Sequence, residues 1–115
     1  MIGLNAIPGE GKAAAEVEHY ALVAAKDGLY PVMERGSKDA VGYIELAAGD
    51  VWKYGTTKNP ETRYSETFLN STGQGLMYQT ISSGTKAEAL AAEKASILNY
   101  ITESGALPPG NKIIR

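Results

Sequence analysis

The sequence predicts an α+β domain, a small, mostly antiparallel sheet of about three strands flanked by helices. Three observations lead there. Short apolar runs rich in β-branched and aromatic residues recur between glycines and prolines, as strands do between turns. A longer segment from Thr85 to Ser104 carries helix signals at both ends. The length of 115 residues fits one domain, and 43% apolar with 21% charged residues is the composition of a chain that buries a core.

Met1 to Lys12 holds Gly3, Pro8, Gly9 and Gly11 and reads as an irregular lead-in. Ala13 to Lys26 is alanine-rich, with Val17, Tyr20, Ala21 and Ala24 at helical spacing and Gly28 beyond as a stop, so a helix is expected. On this reading residues 1–27 are a linker and N-terminal helix, ahead of the main domain over 28–115. Leu29-Tyr30-Pro31-Val32-Met33 is an edge strand, because Pro31 has no N–H for a ladder. Gly36 to Asp39 is a polar loop. Val41–Leu46 and Val51–Tyr54 flank Ala47-Ala48-Gly49-Asp50 and predict a hairpin, with Gly49 supplying the positive φ of its turn.

Lys58-Asn59-Pro60-Glu61 reads as a helix start, with Asn59 as N-cap and Pro60 in the first helical position, running to about Leu69. Leu76 to Ser82, between Gly75 and Gly84, is a further strand. Thr85 with Glu88 three residues on is a capping box. The helix it opens ends at Gly105, ahead of Pro108-Pro109. Gly110 to Arg115 is a short tail that pairs or packs.

Composition excludes several chemistries. The chain has no cysteine, which removes disulfides, thiolate zinc sites and a cysteine nucleophile. It has one histidine, His19, so no multi-histidine metal centre can form; His19 itself reads as structural or superficial. No apolar stretch approaches the ~20 residues of a membrane span, and the amino terminus lacks the pattern of a classical signal peptide. Glycine spacing fits neither phosphate-loop motif. The net charge of −2 does not attract nucleic acid over the whole molecule, so binding would need a local cluster.

Three constellations stand out. Leu90, Ile97 and Ile101 lie along one face of the last helix, and Glu93 falls on that same stripe, where a carboxylate needs a partner or a cation. Arg63, in the first turn of its expected helix, opposes the dipole and calls for a carboxylate or phosphate. Lys53-Tyr54-Gly55-Thr56-Thr57 sets a cation and hydroxyls at a strand end, with Trp52 and Tyr54 expected on one face and Lys53 and Gly55 on the other. Lys53, Lys58 and Arg63 form a basic cluster suited to phosphates inside an acidic chain. Asp27, Asp39 and Asp50 are expected to be solvated in turns.

These pieces, in this order, resemble the GIY-YIG (URI) nuclease superfamily. Gly28-Leu29-Tyr30 looks like its first motif, and Lys53-Tyr54-Gly55 like the second, with lysine where the family's second tyrosine stands. Gly42-Tyr43-Ile44 is the alternative first motif, since the gap from Tyr30 to Gly55 is long. Arg63 follows Gly55 by eight residues, as the family's arginine does; Glu93 suits the metal-binding glutamate and Asn111 the closing asparagine. Gly-Asp-Val-Trp-Lys-Tyr-Gly-Thr-Thr-Lys-Asn-Pro and the closing Leu-Pro-Pro-Gly-Asn-Lys look closer still to the toxin tips of bacterial polymorphic toxins of the Rhs and contact-dependent-inhibition type.

The resemblance implies a divalent-metal-dependent endonuclease. Tyr30, Lys53, Arg63, Glu93 and Asn111 would be catalytic, with Glu93 holding Mg²⁺. Tyr43, Tyr54, Thr57, Lys58, Tyr64 and Ser65 would contact substrate. It further implies a nucleic-acid substrate, DNA rather than RNA, delivery into the cytoplasm of a target cell, and a cognate immunity protein. A non-catalytic binding module on the same fold is the alternative.

Overall fold

The computed structural model describes residues 16–113. It is α+β, with two antiparallel sheets and two helices. The strands are β1 (Val17–Ala24), β2 (Gly28–Val32), β3 (Gly42–Leu46), β4 (Val51–Thr57) and β5 (Leu76–Gly84). The helices are α1 (Glu66–Ser71) and α2 (Lys86–Ser104). One sheet has the order β4-β1-β5, and β2 and β3 form a separate ribbon.

The expected helix over Ala13–Lys26 is a strand from Val17, and it is the central one. Residues 1–15 of the lead-in and of that helix lie outside the described residues. The reason for the correction is burial on both faces. Seven of the eight β1 residues are buried, so the run shows no alternation between an inner and an outer face and fits the helical period as well as any other. Tyr20, Leu22 and Ala24 face a core shared with Tyr30, Leu46, Trp52 and Leu76, which fills the space between the two sheets. The other face carries α2, which packs on β1, β4 and β5. The main sheet is therefore built on residues that the boundary at 27 set outside the domain.

The expected β3–β4 hairpin has its tight turn, with Gly49 at φ 91°, but the two strands part into different sheets. β1 takes the turn into its own ladder. The Gly49 N–H donates to the Ala24 carbonyl at 2.8 Å, and the Ala24 N–H donates to Asp50 O at 2.8 Å. Asp50 and Asp27 are exposed in turns, as expected, and each also accepts a turn amide, from Ala47 and Ala48 respectively, at 2.8 Å.

The helix expected from Asn59 begins later. Ser65 is the N-cap of α1, accepting the Phe68 N–H at 3.0 Å, while Asn59 to Thr62 is a turn. Arg63 thus precedes the helix rather than lying in its first turn. The α2 signals hold throughout. Thr85 and Glu88 form the reciprocal capping box and Gly105 ends the helix in the left-handed region at φ 84°. The tail segment is buried against the sheet. Pro108 and Gly110 are buried, and a Cβ on Gly110 would lie 2.6 Å from the Trp52 ring, so only glycine admits this approach.

Candidate active site

A cavity of about 370 Å³ opens along the outer side of β4. Four of the residues expected to be catalytic, Lys53, Arg63, Glu93 and Asn111, line it, and so does Tyr54. The four expected catalytic residues arrive from four different segments of the chain. Lys53 and Tyr54 are on β4, Arg63 is in the turn before α1, Glu93 is on α2, and Asn111 is in the tail.

Glu93 is 3% exposed, with its Oε1 buried, on the face of α2 that holds Ala89 and Ile97. Helical periodicity placed it there. A carboxylate so withdrawn from water is expensive unless charge or hydrogen bonding compensates it. Among the described residues it is the cleft's one carboxylate, facing Lys53, Arg63, Arg35 and Lys112, four cations against one anion. The local field is therefore positive, although the chain carries −2.

Asn111 is 6% exposed, and its amide works as a strand would. Its Oδ1 accepts the Tyr54 N–H at 2.9 Å and its Nδ2 donates to the Tyr54 carbonyl at 3.0 Å. The Gly110 N–H donates to Trp52 O at 2.6 Å alongside. The tail thus seals the outer edge of β4 and forms a lip of the cleft. Lys112 Nζ then donates to Ser37 O at 3.2 Å, tying the lip to the loop that bears Arg35.

Tyr20 and Tyr54 bring phenols to the cleft, and Tyr30 does not. Tyr20 is the cross-strand partner of Gly55, and its ring lies over that glycine. A Cβ on Gly55 would lie 2.3 Å from the Tyr20 hydroxyl oxygen. This explains on steric grounds why glycine follows Lys53-Tyr54. Tyr20 and Tyr64 share a hydrogen bond of 2.6 Å. Arg63 lies over the Tyr64 ring at 4.3 Å, and Lys53 Nζ lies 5.6 Å from the same ring centroid. The ring pre-positions both cations. Burial, first, and the Tyr20 hydrogen bond, second, push the Tyr64 phenol far above its ordinary value, so it stays protonated. Burial, with a smaller contribution from Glu103, also raises Tyr54.

Tyr30 is fully buried in the core, its hydroxyl 2.7 Å from Lys26 O and 2.9 Å from Gly75 O. The alternative, Tyr43, is 68% exposed on β3 beside a separate concavity with Leu29, Pro31 and Gly73. Thr57, Lys58 and Ser65 do not line the cleft. Thr57 Oγ1 accepts the Asn59 N–H at 3.0 Å, and Ser65 is the α1 cap. Tyr64 acts from behind, through Tyr20 and the two cations. Trp52 and Tyr54 do not share a face, because the β1–β4 register shifts between Leu22 and Val23. Trp52 enters the inter-sheet core, whereas Tyr54 lies 5.7 Å from His19 on the α2 side.

Sequence reasoning missed Tyr20, Arg35 and Lys112 in the cleft, whereas Thr56, which lines it, belongs to the strand-end group of hydroxyls expected there. Only Tyr20 had a usable signal, its register opposite Gly55, and that signal requires β1 to be a strand. It also gave His19 no role. His19 is fully buried, its Nδ1 3.0 Å from Gly55 O and its Nε2 2.9 Å from Ser96 Oγ. Because a carbonyl only accepts, Nδ1 carries a proton, and the ring braces the glycine against α2 one turn beyond Glu93.

Among the described residues no group of three or more His, Asp or Glu side chains can cage a metal ion. One buried carboxylate in a cleft lined by four cations suits an ion shared with substrate phosphates, as Mg²⁺ commonly is, and does not suit a permanently caged one. Among the described residues no helix is long and apolar enough to cross a membrane. The chain matches no protein-family model, no curated protein and no solved structure.

Proposed function

We propose that this domain hydrolyses phosphodiester bonds in nucleic acid with the help of a divalent cation. The observation that carries the reading is the convergence on one cleft of Lys53, Arg63, Glu93 and Asn111, which come from four separate segments of the chain. In this reading Arg63 and Lys53, held over the Tyr64 ring, donate to the non-bridging phosphate oxygens and stabilise the charge that builds there. Tyr20 stands in the cleft wall where Tyr30 was expected and, through the hydroxyl bond it shares with Tyr64, fixes the turn that carries Arg63. Glu93 would hold the cation as its one protein carboxylate; when bound, the ion would supply Lewis-acid stabilisation of the phosphate. Arg35 and Lys112 extend the positive track to flanking phosphates.

A second reading, binding without cleavage, is favoured by the single carboxylate and by Lys53 in place of a second tyrosine. One assay separates the two. Plasmid and RNA are incubated with Mg²⁺ and wild type, Glu93→Gln or Arg63→Ala. Cleavage that falls about 10²-fold or more in both variants, with unchanged circular dichroism, is expected. Binding that survives EDTA, with no cleavage by wild type, supports the module. The toxin and immunity-protein reading rests on the resemblance of the motifs alone. Its test is growth arrest on expression in bacteria, relieved by Glu93→Gln.

A further inference from the structure

Among the described residues four strand edges face away from their sheets, and three are protected. The outer edge of β4 is sealed by Gly110 and the Asn111 amide. β2 contains Pro31, whose carbonyl accepts the Trp52 Nε1–H at 2.8 Å, and just beyond the strand the Met33 N–H donates to Pro109 O of the tail at 2.7 Å. β3 has only five residues and carries Glu45. These are the usual defences of a sheet edge, namely cover, proline, brevity and charge.

β5 has none of them. It is the longest strand, with nine residues, and it forms an edge of the three-stranded sheet. From Leu76 to Gly84 it contains no charged residue and no proline. Among the described residues its only strand partner is β1. Met77 and Ile81 are about half exposed along it. Glu18 of β1 accepts hydrogen bonds from the Tyr78 and Thr80 hydroxyls at 2.7 and 3.1 Å, and Glu88 lies against Gly84 at the strand's end.

We propose that β5 is a homodimer interface, at which two copies of this chain pair antiparallel and join their three-stranded sheets into one continuous sheet. A second copy is the occupant the strand fits. Antiparallel pairing about a two-fold axis makes any exposed backbone edge complementary to itself. An uncharged strand meets its own copy without placing like charges opposite one another, the main cost of self-pairing. The two-fold axis stands perpendicular to the sheet, so both α2 helices lie on one face. Met77, 53% exposed on β5, offers an apolar side chain to the partner's matching residue. The inference is independent of the nuclease reading.

The test uses the full chain, whose lack of cysteine makes single-cysteine cross-linking clean. Sedimentation from micromolar to millimolar concentration is expected to show a monomer–dimer equilibrium. Gln79→Lys combined with Ile81→Lys should raise the dimer dissociation constant about tenfold or more, while circular dichroism stays unchanged. Among Gln79→Cys, Thr80→Cys and Ile81→Cys, at least one should oxidise to a linked dimer about tenfold faster than Tyr43→Cys on the other sheet. A chain that stays monomeric throughout overturns the proposal, and so does cross-linking no faster at β5 than at Tyr43. A monomer with its outward β5 amides protected from hydrogen exchange also overturns it, since another segment of the chain would then be covering the strand.

Discussion

The hydroxyl oxygens of Tyr20 and Tyr64 lie 2.6 Å apart, joining the central strand to the turn that carries Arg63. Tyr20 is 1% exposed, so its phenol has little water to turn to. Tyr64→Phe deletes the partner and is expected to destabilise the fold by about 1–2 kcal/mol in urea unfolding. It leaves the aromatic ring under Arg63 in place. Any cleavage activity should therefore fall less than with Tyr64→Ala, which removes the ring as well.

Alkaline stability follows from the same phenols. Burial, with the hydrogen bond to Tyr20 for Tyr64 and to Glu18 for Tyr78, raises both above their ordinary value of 10.0. In the unfolded chain these groups release protons near that value, while the folded chain keeps them. Unfolding therefore releases protons, and rising pH favours it. The contribution is complete below about pH 10 and is lost as pH climbs through 10 toward the raised folded values. Ultraviolet titration of phenolate should show at least two of the seven tyrosines ionising only as the protein unfolds, and one fewer in Tyr64→Phe.

Gly55→Ala tests the crossing of Tyr20 over β4. The new methyl would meet the hydroxyl oxygen at 2.3 Å and the adjoining ring carbon at 2.5 Å, so the ring must move. A cost of about 1–3 kcal/mol is expected, from overpacking and not from backbone strain. Thermal unfolding measures it, and a stability equal to wild type would contradict the described packing.

Asn111 offers a sharper contrast. Asn111→Asp keeps an acceptor for the Tyr54 N–H but turns the donor into an oxygen facing the Tyr54 carbonyl. Asn111→Ala removes both bonds. Each change should cost about 1–3 kcal/mol, with the aspartate variant recovering part of its loss at acid pH, where the carboxyl regains a proton to donate. Urea unfolding at two pH values distinguishes them.

What the sequence disclosed depended on how local the signal was. Thr85, Glu88 and Gly105 act within a few residues of themselves, and α2 has the ends they predict. Glu93 was legible because helical periodicity carries a residue's facing with it. β1 was misread because a strand buried on both faces has no alternation to show. Tyr20 went unrecognised with it, since the pairing of Tyr20 with Gly55 exists only once β1 and β4 are side by side. Asn59-Pro60 imitates a helix start, yet the hydroxyl of Ser65 makes the cap. Arg35 and Lys112 reach the cleft from loops, where no periodicity reports direction.

The tail seal on β4 joins two properties that proteins usually keep separate. Asn111 and Tyr54 are 57 residues apart in the chain, so their contact is a long-range closure. If residues 107–113 detach in a local opening, two backbone groups of Tyr54 and the Trp52 carbonyl lose their partners together. The cleft loses Asn111 and Lys112 in the same event. The partly opened molecule would be inactive and would expose a second adhesive edge, so loss of function and onset of aggregation should share one midpoint, below that of global unfolding.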